Sequence, residues 1–339
     1  MVVKMISYRS PVEKEGRRAF LPTFRAAAFM LGVCVAAIAS AESYPAKLIT
    51  FVTPFSPGAG PDVFVRAIAT EVGHAAGVPA IVENKPGASS MLAAQSVMRA
   101  APDGYTVLIT GNVAFTGNPH VVKKMLYDPV ADFTPVTTLS KGPMYLYVNP
   151  KTLPAWNATE LVSLLRKDPG KYSFAYTSIT SQLPAEVLQQ SAQVKLLGVR
   201  YRSGAAAIPD LISGQIDMMF TDYTPWAYVK SNKLRAIGVT DLQRSPYTPG
   251  LPTFKEAGIK GMDIGFWLGA YLPANAPAPV VARLHQLLAA AVKAPEAQAA
   301  SQTMGMFEFV MPIGELAKYQ AKESADWGRV IRGAGIQPE

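Results

Sequence analysis

Residues 53–62 read TPFSPGAGPD and directly follow the apolar run LITFV at 48–52. That run is typical of a buried strand, and apolar residues then recur every four positions through 64–72, as they do along one face of a helix. The quoted stretch therefore predicts a loop between a strand and a helix, the place where open α/β sheets bind ligands. Gly58 and Gly60 would let the backbone approach such a ligand closely.

The chemistry of this loop favours an anionic ligand. The first turn of a helix has unpaired N–H groups and partial positive charge, and each partly exposed helix end contributes about 0.3–1 kcal/mol to anion binding. Because Val63 stands third after Gly60, the dinucleotide pattern G-x-G-x-x-G fails, and neither Gly-Lys-Ser nor Gly-Lys-Thr follows. We interpret Asp62 as a helix N-cap or first-turn acid. A glycine loop that only turns the chain stays an alternative.

Composition and charge exclude several classes of protein. The chain has 339 residues, of which 49% are apolar and 17% charged, as in a compact protein of about two domains. The net charge of +8 would suit a nucleic-acid partner. However, residues 1–41 contain six basic and two acidic residues and so carry half of that charge, and no run of Lys or Arg follows. We therefore expect no nucleic-acid partner.

Residues 1–41 are predicted to be a signal peptide. The apolar run at 26–38 is too short to span a bilayer comfortably, and the ASA that follows it is a small-x-small cleavage pattern. We expect cleavage near Ala41 and a periplasmic mature protein. The sequence RRAFL at 17–21 resembles the twin-arginine export motif, so twin-arginine and general secretory export both stay open. An uncleaved anchor is the remaining alternative.

Catalytic and metal chemistry has little support in the sequence. The only cysteine, Cys34, lies in the predicted signal peptide, so the mature chain would have no disulfide, thiolate nucleophile or cysteine-bound metal. No H-E-x-x-H or G-x-S-x-G motif occurs. Asp217 and Asp222 straddle a predicted strand, which disfavours joint acid–base work. The histidines lie far apart in the sequence: His74, His120 and His285. We expect no catalytic residue, no metal and no cofactor.

Strand-like and helix-like segments alternate along the chain, which predicts parallel sheets with helices on both faces. The predicted strands are 47–53, 105–110, 144–149, 171–177, 216–220, 235–240 and 265–272. The predicted helices are 62–76, 88–100, 158–167, 184–193, 205–213, 279–293 and 315–332. Asn157 and Glu160 have the spacing of a capping box, and Pro184 after Ser181 is predicted to open its helix at the first turn.

A long ordered series of short motifs resembles the Bug-type periplasmic solute receptors of tripartite tricarboxylate transporters. Their usual opening is P-F-x-P-G-G-x-x-D-x-x-A-R, and the series covers nearly all of 44–336. The motifs are PFSPGAGPDVFVR (54–66), VENKPGA (82–88), APDGYT (101–106), NPH (118–120), YDPVADF (127–133), VNP (148–150), GQID (214–217), KLRA (233–236), RSP (244–246), LPT (251–253) and EAG (256–258).

The resemblance implies an α/β, two-lobed Venus-flytrap fold of the type II-like periplasmic binding proteins, with two hinge-crossing strands near 144–149 and 265–272. The first domain would combine 44–146 with 264–339, and the second would span 147–263. The implied function is capture of a small organic carboxylate, aromatic or dicarboxylic among the options, by domain closure. The receptor, expected to be a monomer, would present this ligand to membrane transporter subunits. A ligand sensor for a membrane kinase and an α/β enzyme acting on a carboxylate are the alternatives.

The resemblance also implies a set of ligand-binding residues, in which loop amides and hydroxyls at helix N-termini hold the carboxylate. The candidates are Phe55, Ser56, Gly58, Ala59, Gly60, Asp62, Asn112, Ala114, Phe115, Thr177, Ser178, Thr180, Ser181, Thr221 and Asp222. The sequence departs from the family pattern at Ala59, at Pro61, through 176–182 and at 220–222. We therefore expect the binding class to be retained and the identity of the ligand to differ. Aromatic residues near these loops suggest an aromatic or long-chain carboxylate.

Overall fold

The computed structural model describes residues 44–338, so the predicted signal peptide and its cleavage site near Ala41 lie outside the described residues. The strands are β1 (Ile49–Thr53), β2 (Ala80–Asn84), β3 (Thr106–Gly111), β4 (Phe133–Pro143), β5 (Tyr145–Val148), β6 (Ser173–Tyr176), β7 (Leu197–Arg200), β8 (Met218–Thr221), β9 (Arg235–Val239), β10 (Gly265–Pro273) and β11 (Phe307–Glu308). The helices are α1 (Gly60–Ala76), α2 (Met91–Met98), α3 (Asn118–Val121), α4 (Ala158–Lys167), α5 (Ile179–Ala192), α6 (Gly204–Ser213), α7 (Trp226–Lys230), α8 (Ala278–Ala291), α9 (Pro295–Thr303) and α10 (Glu315–Gly333). A 3₁₀ turn (Ala88–Ser90) precedes α2, and a π-helical turn (Val113–Gly117) precedes α3.

The strands form two mixed sheets. The first has the order β11-β4-β10-β3-β1-β2, in which β1 runs parallel to β2 and β3 while β10 runs antiparallel to β3 and β4. The second has the order β7-β6-β8-β5-β9, in which β6 is parallel to β7 and β8 while β5 is antiparallel to β8 and β9. The predicted parallel pairing is therefore confirmed around β1 and β6 and was wrong elsewhere, because the strands next to the sheet-to-sheet connections run in the opposite direction.

The chain passes between the sheets at two points that lie side by side. Strand β4 ends at Pro143 in the first sheet, and β5 begins at Tyr145 in the second. The return path runs from β9 to β10. Thr240 joins the two paths: its N–H donates to the Met144 carbonyl at 3.0 Å, and its hydroxyl accepts from the Met144 N–H at 2.9 Å and donates to the Ile264 carbonyl. The segment predicted as a hinge strand, 144–149, instead lies almost wholly inside the second sheet.

Each sheet has its own apolar layers, and helix α10 contacts both. On one face of the first sheet α1 packs with α8, and on the other face the core includes Phe115 and Tyr271. Trp327 and Ile331 of α10 join the core of the second sheet, and the Gln190 side chain of α5 donates to the Val330 carbonyl at 3.1 Å. The C-terminal helix therefore packs against both lobes.

Local sequence signals explain one helix start well and mislead at another. Asn157 caps α4 by accepting from the Glu160 N–H at 2.9 Å, and the Glu160 carboxylate accepts from the Trp156 N–H at 2.9 Å, so the predicted helix 158–167 is confirmed. Helix α5, in contrast, starts at Ile179, and Pro184 lies in its interior. The prediction that Pro184 opens this helix was wrong, because the serine-rich turn before it is already helical.

Candidate functional site

A cavity of about 200 Å³ lies between the two sheets, at the point where the chain crosses from one to the other. Both lobes contribute to its lining. From the second sheet come the start of α5 and the residues after β8: Thr177, Ser178, Thr180, Ser181, Thr221 and Asp222. From the first lobe and the crossing come Pro61, Val113, Gly142, Pro143, Met144, Phe266, Met304 and Met306.

The wall from the second sheet is polar and is organised around the N-terminus of α5. The Ser181 hydroxyl accepts from the Thr177 N–H at 2.9 Å and from the Ser178 N–H at 3.2 Å, which fixes the turn before the helix. Within residues 44–338, the N–H groups of Ile179 and Thr180 have no acceptor. These first-turn donors and the partial charge of the helix end favour an anion.

Two threonine hydroxyls extend this wall. Thr180 Oγ1 and Thr221 Oγ1 have no hydrogen-bond partner within the part of the chain that the structure describes. Neither is among the fully buried polar atoms without a partner, so both hydroxyls are accessible from the cavity. All six residues predicted on this lobe therefore line the cavity. Their contact with a ligand stays a prediction.

The first predicted loop, before α1, has only part of its main-chain donors free. Helix α1 begins at Gly60 after the N-cap residue Ala59. The Gly58 N–H donates to Asp62 Oδ2 at 2.8 Å, and the Ala59 N–H donates to the Ser56 carbonyl at 3.1 Å. Among residues 44–338 the N–H groups of Phe55, Ser56, Gly60 and Asp62 have no acceptor, although Pro61 is the residue of this loop that lines the cavity.

Asp62 holds this loop in place from inside the protein. Its side chain is 1% exposed and accepts from the Gly58 N–H, from Arg66 Nε at 3.0 Å and from Asn84 Nδ2 at 2.6 Å. Burial alone would raise the pKa of this carboxyl, but the hydrogen bonds from Arg66, Asn84 and Gly58 together lower it. The first-turn interpretation is therefore confirmed, and the predicted ligand contact of Asp62 disagrees with its burial.

The second predicted loop does not place its side chains in the cavity. Asn112, Ala114 and Phe115 are at most 1% exposed. Asn112 Nδ2 donates to the Gly265 carbonyl at 3.0 Å, and Phe115 stacks on Tyr271 with ring centroids 4.0 Å apart. In the π-helical turn these side chains point into the first lobe. The neighbouring Val113 lines the cavity in their place.

The first-lobe wall is mostly apolar, and its residues were not predicted from the sequence. Met304 and Met306 come from the short connection between α9 and β11, and Phe266 comes from the start of β10. The Phe55 ring lies 6.5 Å from that of Phe266, behind this wall. No local motif marks these methionines, because they reach the cavity only through the long-range pairing of β11 with β4.

Asp222 is the only ionisable side chain among the described residues that line the cavity. Its Oδ1 accepts from the Thr224 N–H at 2.9 Å. Burial raises the pKa of this carboxyl, although the hydrogen bonds with Thr224 act in the opposite direction. The lining contains no Lys, Arg or His, so an anion bound here would be held by N–H and hydroxyl dipoles rather than by a counter-charge.

The described residues give no support to a metal site or to a catalytic pair of acids. Within 44–338 no three His, Cys, Asp or Glu side chains come together as metal ligands would, and none of the helices there is long and apolar enough to cross a membrane. His120 Nε2 lies 2.9 Å from Ser324 Oγ, outside the cavity. Asp217 accepts from Ser173 at 2.8 Å and does not pair with Asp222.

The fold and the cavity together define a class of protein, the two-lobed periplasmic solute-binding receptors. The chain belongs to the tripartite tricarboxylate transporter family receptors, whose sequence profile matches residues 64–336. A "UPF0065 protein in tcbD-tcbE intergenic region" from a Pseudomonas species is 31% identical over 86% of this chain and 87% of its own length. The Bug-type resemblance is thereby confirmed, and the chain is a solute-binding receptor rather than an enzyme.

Solved structures of similar proteins share the fold over most of the chain. The periplasmic binding protein BugD matches with a TM-score of 0.73 at 30% identity, covering 87% of this chain and 100% of its own. Rpa4515 of R. palustris, solved with adipate, matches with a TM-score of 0.77 at 27% identity over 87% and 100% of the two chains. MatC from Rhodopseudomonas palustris, solved with bound malate, matches with a TM-score of 0.70 at 28% identity over 85% and 100%.

Proposed function

We propose that this chain is the periplasmic receptor of a tripartite tricarboxylate-type transporter and that it binds an organic carboxylate in the cavity between its lobes. The observation that carries the proposal is the start of α5, where the N–H and the hydroxyl of Thr180 have no partner within 44–338 and Thr180 lines the cavity. The similar proteins solved with adipate and with malate support a carboxylate ligand.

Each part of the cavity has a distinct role in this proposal. The α5 terminus and the threonine hydroxyls would donate to the carboxylate from the second lobe, and the first lobe would offer the free N–H of Gly60, which lies next to the lining residue Pro61. Asp62 fixes the loop that presents Gly60 and does not touch the ligand. A predicted domain division of 44–146 plus 264–339 against 147–263 would place these groups on opposite sides of the hinge.

In this proposal ligand binding closes the two lobes. A carboxylate that contacts both walls stabilises the closed arrangement of the lobes by its differential contacts, and the closed surface is what the membrane subunits would recognise. In this proposal the receptor acts as a monomer in the periplasm, after removal of a signal peptide near Ala41. Loss of carboxylate uptake in a strain that lacks the receptor would support the transporter role. Intact uptake with lost gene induction would instead favour a sensor.

The binding role is tested with Thr180→Val, which keeps the shape of a residue that is only 6% exposed and removes its hydroxyl. Native mass spectrometry of freshly purified protein first identifies any bound acid, and calorimetry then compares affinities. We expect a loss of about tenfold, since a hydrogen bond to a charged group contributes about 1.5–3 kcal/mol. The matched control is Ser191→Ala, whose hydroxyl lies on the same helix and donates to the Val187 carbonyl at 2.7 Å. Equal affinity of both variants would refute the proposed site.

A further inference from the structure

Two methionines of the first-lobe wall pack closely against the backbone at two glycines. Met304 and Met306 are 6% and 2% exposed, and both line the cavity. A Cβ at Gly60 would lie 2.9 Å from Met304 Cγ, and one at Gly142 would lie 3.0 Å from Met306 Cγ. Two glycines thus leave the space that the thioether side chains occupy.

Phe266 completes this wall in the same way. A Cβ at Gly111 would lie 2.6 Å from the Phe266 ring, so only glycine lets the ring rest against the end of β3. Thioether and aromatic groups are polarizable and adapt to flat or branched apolar surfaces. Met304, Met306 and Phe266, called the apolar wall below, therefore suit the hydrocarbon part of a ligand.

The backbone of the methionine segment offers no donor to an anion. The Met304 N–H donates to the Ser301 carbonyl at 3.1 Å, the Gly305 N–H to the Gln302 carbonyl at 2.9 Å and the Met306 N–H to the Ser301 carbonyl at 3.0 Å. The Met144 N–H, next along the lining, is bound by Thr240 Oγ1 at 2.9 Å. A carboxylate against the apolar wall would be buried without hydrogen bonds, which is strongly unfavourable.

The charge of the lining residues also disfavours a second carboxylate. Among the described lining residues Asp222 is the only ionisable one, and it is an acid. The free Thr180 N–H and the unpaired Thr180 and Thr221 hydroxyls lie together on the second-lobe wall of the cavity, so they can bind one carboxylate group of a small ligand. The cavity of about 200 Å³ is smaller than the roughly 300–1,000 Å³ of drug-sized sites. It leaves room for one carboxylate and a compact body.

We propose that the ligand of this receptor is a monocarboxylate with an apolar body, held by its carboxylate at the start of α5 and by its body against the apolar wall. The inference rests on the proposed function and narrows it, because it excludes the dicarboxylates found in similar proteins. A benzoate-type acid is the simplest ligand that satisfies both walls.

The test compares acids that share a carbon skeleton and differ by one carboxylate. Calorimetry at neutral pH measures benzoate against terephthalate and hexanoate against adipate. We expect the monoacid of at least one pair to bind at least about tenfold more tightly than its diacid, because the second carboxylate would be buried unpaired. If the monoacid binds about tenfold more tightly in neither pair, while at least one of the four acids binds, the carboxylate receptor stands and this inference fails. If none of the four acids binds, this inference fails, and the acid identified by native mass spectrometry decides the proposed function separately.

Variants of the apolar wall give an independent readout. Met306→Lys places an ammonium group beside the second carboxylate, and Met304→Gln supplies a neutral donor in case the buried charge prevents folding. Either change should bring the monoacid-to-diacid affinity ratio from about ten to about one or below. Met125→Gln, on a partly buried methionine of the first lobe that does not line the cavity, is the matched control. An unchanged ratio in a folded Met304→Gln protein would overturn the inference.

Discussion

A partly buried acid on α10 should make the stability of the protein strongly dependent on pH. Glu323 accepts from Trp267 Nε1 at 2.9 and 3.0 Å and lies 3.4 Å from Asn112 Nδ2. Burial raises the pKa of Glu323 from 4.5 to about 7, although these hydrogen bonds act in the opposite direction. The carboxyl is therefore protonated more readily in the native protein than in the unfolded chain.

The magnitude follows from this difference in pKa. Below about pH 4.5 both states hold the proton, and above about pH 7 both have lost it, so the contribution of the protonated group to stability disappears between these values. Because one pH unit corresponds to about 1.4 kcal/mol, Glu323 alone lowers the free energy of unfolding by about 3 kcal/mol between about pH 4 and about pH 8. Glu323→Gln removes the titration and keeps an acceptor for Trp267.

The assay is urea unfolding followed by circular dichroism at both pH values without added ligand. At about pH 8 the Glu323→Gln protein should be up to about 3 kcal/mol more stable than the original protein, and at about pH 4 the two should be nearly equal. The control is Glu315→Gln on the same helix, an exposed acid 2.8 Å from Lys318, whose loss changes stability by about 0–1 kcal/mol. A stability difference that is the same at both pH values would refute the reasoning.

Three further variants test the site and its support. Asp222→Asn should tighten carboxylate binding about fivefold near pH 7, since it removes an acid from the cavity, and the gain should shrink as pH falls and Asp222 is protonated; calorimetry at two pH values measures this. Asp62→Ala should lower the free energy of unfolding by about 3 kcal/mol, because Gly58, Arg66 and Asn84 lose their acceptor; a loss under about 1 kcal/mol in urea unfolding would contradict its buried role. Gly60→Ala should push the adjacent thioether into the cavity and weaken binding about tenfold with little change in unfolding, whereas unchanged affinity would show that the cavity is not the site.

Local signals determined which parts of the fold could be predicted. Helix α4 was predicted at both ends because Asn157 and Glu160 form a local cap. Strand β4 was missed, since its sequence is rich in Thr and Ser and contains Pro135, and its burial comes from the distant strands β10 and β11. A sequence pattern shows the hydrophobic periodicity of one segment, but it does not show which distant strand will pair with that segment and bury it.

The same distinction applies to the site. The hydroxyls before and within the first turn of α5 could be found because they follow a strand directly, where the carboxyl end of a sheet is open. Asn112 and Phe115 also follow a strand, yet the π-helical turn directs their side chains into the core. No local sequence pattern predicted this turn. The apolar wall could not be found at all, because Met304 lies far along the chain from Thr180 and meets it only in the folded protein.

The bonds of Thr240 have a mechanical consequence. Since one residue ties Met144 on the outward path to Ile264 on the return path, the two connections cannot flex separately. We expect them to act as a single hinge between the two lobes, and Met144 of that hinge lines the cavity. Thr240→Val would remove the two hydroxyl bonds but keep the main-chain bonds to Met144 and Ile264, so the paired connections should loosen without separating.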